Sequence, residues 1–367
     1  TGSYPEADTT LVEALEVALA GAADDTAAVI ASELANVRFR RGMHERAHDL
    51  VPVAAALHRR HTGEQTWPRL SNILGSGLVF GRRDAEAVDV FTEGIAAADD
   101  DRPEHAAALL SMRTNRSAML LRMGRDAEAE RSLTEAEDYA RVLLGEDHPQ
   151  YTRLMILRAG MYSMRDDHET ALRIQKRALE IWRRAVPRPS ASEALMLTNV
   201  AEYLTRLERF DEALAALDEV RDVNVAQGAP RESWGPDLYT SMGSVETRRG
   251  NHRVAMKHHE RALELLHEAV AAREPLVGET VLLAAETALE LDHARTDELI
   301  ATGMEIYARV ADPRMEGRFS LLRALRNERR GDHEAARSDA ERVLTLLDET
   351  DTDGWPQAQA LLQRLGR

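Results

Sequence analysis

The chain has 367 residues, a net charge of −16 and no cysteine. That rules out disulfides, a thiol nucleophile and cysteine-bound metal, and makes duplex nucleic acid or an anionic membrane a poor partner for the surface as a whole. No apolar run approaches the roughly 20 residues of a membrane span and no signal-peptide pattern is visible, so a cytoplasmic protein with no membrane insertion is expected.

Taken in order, the chain alternates amphipathic helices with short polar turns. It opens on a predicted helix over 4–20 that has no partner before it. Eight helix pairs follow. Their first helices are expected over 27–41, 69–80, 104–123, 149–164, 190–207, 236–249, 276–290 and 315–330. Their second helices are expected over 44–60, 84–98, 126–143, 168–185, 210–225, 252–272, 295–310 and 333–348. A turn at Asp351–Gly354 and a last helix over 355–366, either a C-terminal cap or a truncated next unit, complete the array. Because residues 1–7 read as the end of a turn and the start of a second helix, the chain is expected to be a piece of a longer protein.

The pairs repeat. Ala171 anchors the clearest of them, Leu144–Trp182, and the same position is held by Ala7, Ala47, Ala87, Ala129, Ala213, Ala255, Asp297 and Ala336, at intervals of about 40 to 42 residues. Twelve residues before the anchor the side chain is always small: Ala35, Gly75, Ser117, Ala159, Ala201, Gly243, Ala285 and Ala324. Seven after it, Ala14, Ala54, Gly94, Ala136, Ala178 and Ala262 return to the same helix face. Small residues at these points let two helix backbones approach closely. Five before the anchor stand Gly2, Gly42, Gly124, Gly250 and Gly331, where glycine ends a helix in the left-handed conformation at no steric cost. Three before it lies a ring: Tyr4, His44, His168, Phe210, His252 or His333. Most prolines fall between pairs, Pro236 among them, whereas Pro52 inside a second helix is expected to kink it. Asp297 replaces the anchor alanine, so that pair is expected to be distorted.

This set of positions resembles the tetratricopeptide repeat, and the period with the Leu144–Pro149 loop is similar to the longer repeat of kinesin light chains. The resemblance spans the whole chain. It implies an all-α fold: one right-handed superhelical solenoid of antiparallel helix pairs over residues 1–367, with first helices lining the concave side. It also implies binding of a protein or extended peptide on that side, without cofactor.

Three features could carry other chemistry. His44-Glu45-Arg46-Ala47-His48 matches the H-E-x-x-H pattern of zinc hydrolases. The repeat already accounts for it, because His44 fills the ring position and Ala47 is the anchor, and no third ligand is evident. The histidine pairs His58/His61 and His258/His259 read as surface residues. Gly75-Ser76-Gly77 lacks the preceding strand and following lysine of a phosphate loop, so close helix packing explains it better.

The pattern along the predicted groove points to binding. Seven residues before the anchor stand Arg40, Arg122, Arg206, Arg248 and Arg329; fourteen before it, Asn115, Asn199 and Ser241. Neighbouring positions add Asn36, Asn72, Ser76, Thr198, Glu202, Thr240 and Ser244. By the resemblance, asparagine there holds a peptide backbone, and arginine forks suit acidic groups. The alternative is that these arginines complement helix C-termini and pair with internal acids. The functional expectation is a non-catalytic interaction or regulatory region of a larger bacterial signalling protein. The alternatives are a sensor segment of a serine/threonine kinase or NTPase acting by intramolecular contact and, more remotely, a zinc hydrolase.

Overall fold

The computed structural model describes residues 4–64, 67–187, 189–269, 274–310, 312–347, 351 and 354–366. Among these there is no strand. The chain divides into two compact units, 1–185 and 186–367.

The first unit starts with α1 (Tyr4–Ala20), which packs on α2 (Asp24–Arg40). The partner of α2 is broken into α3 (His44–His48) and α4 (Leu50–Thr62). Then come the pairs α5 (Pro68–Phe80) with α6 (Asp84–Ala96), α7 (Pro103–Arg122) with α8 (Asp126–Leu144), and α9 (Thr152–Met164) with α10 (His168–Ala185). The second unit holds α11 (Ala191–Arg206) with α12 (Phe210–Ala226), α13 (Arg231–Arg248) with α14 (His252–Ala269), α15 (Glu274–Glu290) with α16 (Thr296–Val310), α17 (Pro313–Arg329) with α18 (His333–Leu346), and the terminal α19 (Gly354–Leu365). Each unit is therefore a stack of antiparallel helix pairs, the all-α solenoid class expected from the sequence. Gly2 and part of the turn at Asp351–Gly354 lie outside the described residues.

Small side chains set the spacing of each pair. The anchors Ala47, Ala87, Ala171, Ala213, Ala255 and Ala336 and their opposites Ala35, Ala159, Ala285 and Ala324 have no exposed surface at all. Ala7, on α1, is only half-buried. Where glycine stands opposite, a ring fills the space. A Cβ on Gly75 would run into Phe91, and one on Gly243 into His259. Phe91 and His259 are both four residues past their anchors. Helix interiors pack to the density of organic crystals, so such a notch admits no added atom without displacement.

The turns are more uniform than the glycines imply. Gly42, Gly124, Gly250 and Gly331 have positive φ, and at the same register so do Arg82, Asp166, Glu208 and Asp292, with φ of 59°, 59°, 59° and 49°. The left-handed residue is thus a requirement of the turn, met by glycine in only some pairs.

Three departures have identifiable causes. The second helix at Pro52 breaks at Asp49, because proline lacks the N–H and its ring crowds the carbonyl four residues back. Pro236 lies inside α13, which begins at Arg231, five residues before the expected start. Its neighbour Gly235 is buried against Leu265, so tertiary contact holds this early turn in place. At Asp297 the register slips by one: Asp297 is exposed, and Thr296 is buried in its stead, donating from Oγ1 to the carbonyls of His293 (2.7 Å) and Ala288 (3.1 Å).

Successive first helices touch one another within each unit (α2 with α5, α5 with α7, α7 with α9; α11 with α13, α13 with α15, α15 with α17), while successive second helices make no comparable contact. In each unit the first helices therefore form the tighter, inner layer.

Two predictions follow from this packing. Arg82→Gly, Glu208→Gly and Asp292→Gly should each raise the free energy of unfolding in urea by up to about 1 kcal/mol. The relieved left-handed cost of roughly 1–2 kcal/mol outweighs the roughly 0.4–1 kcal/mol that glycine adds to unfolded-chain freedom. Lower stability in all three variants would contradict the turn assignment. Gly75→Ala should cost about 2 kcal/mol, and a Phe91→Leu background should remove most of that cost in a double-mutant cycle; strict additivity is the contrary result.

Candidate binding groove

On each first helix, positions 18, 14, 11 and 7 before the anchor follow helical spacing and form one narrow stripe on the inner face. In the second unit the stripe of α11 is Leu195, Asn199, Glu202 and Arg206, and that of α13 is Asp237, Ser241, Ser244 and Arg248, with every residue exposed or half-buried. The two helices are in contact, so the stripes adjoin. Asn199, Glu202, Arg206, Ser241 and Arg248, all expected in the groove, are thereby brought together. Arg206 and Arg248 form no ion pair with any described residue. Thr240 is buried instead, in a hydrogen bond of 3.0 Å with Thr280 of α15. Thr198 turns its hydroxyl back onto the Ala194 carbonyl, 3.0 Å away.

Other expected groove residues serve the fold. Arg329 donates to the Leu289 carbonyl and to Glu290 (2.9 Å) at the C-terminus of α15. In the first unit Arg122 forks onto Asp84 at the start of α6, with Nε 2.6 Å from the carboxylate. Arg40 bonds Asn36 at 3.3 Å and lies 5.3 Å from the centre of the Phe80 ring. Asn72 is half-buried, and its Oδ1 has no hydrogen-bond partner. Asn115 accepts from Arg153 Nη2 at 2.7 Å.

Arg153 is a residue the sequence reading passed over. It stands 18 before its anchor on α9 and is solvent-exposed. Surrounding protein nevertheless desolvates it enough to push its pKa below the ordinary guanidinium range. The missed signal was the position 18 before the anchor, which also carries Leu195, Asp237 and Glu279. In the second unit Leu195, Trp234, Asp237, Ser241 and Glu279 line a cavity of about 370 Å³.

The histidines do packing work. The rings of His44 and His48 both rest on Phe39, with centroids 6.2 and 5.0 Å away. No group of three side chains able to hold a metal ion occurs among the described residues. His258 and His259 are not the surface pair expected: His258 stacks near Tyr239, and His259 is fully buried over Gly243 with neither ring nitrogen bonded. Burial, then the neighbouring His258, lowers the His259 pKa from 6.5 to about 4.

A tetratricopeptide-repeat family model matches residues 104–184 and 192–268. These two stretches carry tetratricopeptide repeats. The matched repeats fall on α7–α10 and α11–α14, one stretch in each unit. Solved structures share the fold at low identity. The Rap protein complexed with competence and sporulation factor is 12% identical, with 92% of this chain and 96% of that one covered at a TM-score of 0.61. NprR in complex with its cognate peptide NprX is 15% identical, with coverages of 90% and 97% and a TM-score of 0.55. A signal-transduction ATPase with a tetratricopeptide-repeat sensor from Pyrococcus horikoshii is 12% identical, and 100% of this chain matches 55% of that one at a TM-score of 0.61. No curated protein matches the chain. Among the described residues, no helix of these repeats is long and apolar enough to cross a membrane.

His259 gives the repeat array a pH signature. The unfolded histidine takes a proton as pH falls through 6.5, while the folded one resists until about 4. Stability should therefore fall by about 3 kcal/mol as pH drops across that window, with full stability above it. His259→Phe copies the Phe91-over-Gly75 arrangement and should abolish this contribution in urea titrations from pH 7 to pH 4. An unchanged pH slope would show that His259 is not the cause.

Proposed function

We propose that the chain is a non-catalytic scaffold that binds a protein or extended peptide along the inner face of its first helices, and that acidic groups of the partner are held by arginine. One observation carries this reading. Arg206 and Arg248 project from adjoining helices beside Asn199, Ser241 and Ser244, with no internal carboxylate bonded to them among the described residues. Of the other groove arginines, Arg122 and Arg329 tie one pair to the next. A guanidinium left unpaired on a surface of net charge −16 is electrostatically favourable for an acidic ligand only locally, which is why the site is read from the groove and not from the total. The solenoid fold is shared with Rap and NprR, whose structures contain competence and sporulation factor and the cognate peptide NprX, and this likeness supports the reading. The net charge of −16 disfavours duplex nucleic acid as a partner for the surface as a whole.

A second reading has one observation in its favour. The match to the Pyrococcus ATPase covers all of this chain and a little over half of the other, so this array could serve as the sensor segment of a larger signalling protein and act on a domain of its own polypeptide. The two readings share the groove and differ in where its occupant comes from.

The test is a peptide-display selection on the full chain. Acidic sequences should be enriched, and Arg206→Glu with Arg248→Glu should weaken the selected ligands at least about tenfold, roughly 1.4 kcal/mol. Arg122→Glu should lower stability with little effect on binding. Undiminished binding by the Arg206/Arg248 double variant would remove the groove assignment.

A further inference from the structure

We propose that the outer cleft between α8 and α10 is a docking site separate from the groove. It takes a segment of another protein that puts one large apolar side chain into the cleft and carboxylates against α10. The inference is independent of the groove reading, because the cleft lies on the far side of α9 and shares no residue with the groove.

The cleft follows from the stacking. α8 and α10 both pack on α9, and between them a cavity of about 220 Å³ opens, floored by Tyr151, Met155, Ile174 and Ile181 and edged by Glu137 and Arg158. Helical spacing puts Met155 and Arg158 about half a turn round α9 from its inner stripe of Arg153, Leu157, Gly160 and Met164, so the cavity faces outward. Its charges are already matched. Arg158 donates to Glu137 from Nε (3.0 Å) and Nη2 (2.6 Å), and both side chains are largely buried. An entering group therefore meets a neutral edge and an apolar floor, and a second charge would have no partner there. At roughly 30 Å³ per water the space equals about seven waters, the scale of one leucine or phenylalanine side chain.

The wall beside the cavity sets the partner's charge. α10 carries five basic and two acidic side chains, whereas α8 carries two basic and six acidic and α12 one basic and five acidic. A net of +3 on one second helix of a chain at −16 is a local reversal. Part of it has internal causes. Arg177 and Arg184 share Asp147, at 2.5 and 3.8 Å, and the arginines of the last turn complement the helix dipole. Arg173 and Lys176 have neither cause. They stand mid-helix, are exposed, and pair with no described residue. Both lie within one turn of Ile174 on the cavity floor. With a rise of about 5.4 Å per turn, carboxylates that reach them fall within about three residues of the inserted apolar side chain.

The experiment is a display selection from a random dodecapeptide library on the full chain carrying Arg206→Glu and Arg248→Glu, which takes the groove arginines out of the competition. Enriched peptides should share one Leu, Ile, Met or Phe with at least two Asp or Glu within about three residues of it. Arg173→Glu with Lys176→Glu should weaken them at least about tenfold, and so should Ile174→Gln. Raising the salt from about 0.05 to 0.5 M should weaken them several-fold. Urea unfolding checks that each variant folds, and the charge pair is exposed enough to leave the fold intact. No enrichment, a consensus without acids, or indifference to either set of variants overturns the proposal. Sedimentation velocity of the unmodified chain adds a further outcome: self-association abolished by Arg173→Glu with Lys176→Glu would give the cleft to a second copy of this chain and overturn the assignment to another protein.

Discussion

Everything in this molecule depends on how closely two helices can lie within a pair. A residue twelve before the anchor and the anchor itself carry almost no side chain, so the backbones approach until they meet. The contact works as a fitted notch: glycine at Gly75 and Gly243 admits the rings of Phe91 and His259. Where alanine stands, as at Ala201, the matching register position holds the smaller Leu217, also buried. The free energy involved is ordinary burial and dispersion, but its geometry is repeated, and repetition is what converts pairs into a stack.

The turn fixes the second coordinate. One left-handed residue per turn closes the first helix and launches the second at a constant angle. With distance and angle both constant, each first helix presents the same stripe to the same side, and a surface of adjoining stripes results. Binding chemistry can then vary at the stripe positions without touching the core. Ion pairs one repeat apart, such as Arg122 with Asp84, Arg69 with Glu33 and Arg364 with Glu328, run between neighbouring pairs. Being exposed, each is worth little alone, and their use is to hold register.

The helices and their inward faces were legible because the signal is periodic and local: alanine spacing, glycine turns and proline starts all concern residues within a turn or two of each other. A break at Pro52 and a distortion at Asp297 were legible too, but the early start of α13 and the form of the change at Asp297 were not, for the opposite reason. The early start of α13 depends on Leu265 lying against Gly235, thirty residues on in the chain. The slipped register at Thr296 depends on two carbonyls that only the folded turn supplies. For the groove, the sequence located the rows of Arg206 and Arg248 but could not tell them from Arg122 and Arg329, whose acceptors sit a whole repeat away. It also passed over Arg153, because its desolvation by surrounding protein has no sequence pattern.

The central claim is that the pair is held by steric exclusion of side chains at the anchor. Urea unfolding of Ala213→Leu beside Ala7→Leu tests it most directly, since both are helical alanines at the same register, one fully buried and one half-buried. The account predicts a loss of about 2–3 kcal/mol for Ala213→Leu and under about 0.5 kcal/mol for Ala7→Leu. Equal losses at the two positions, or none at Ala213, would contradict it.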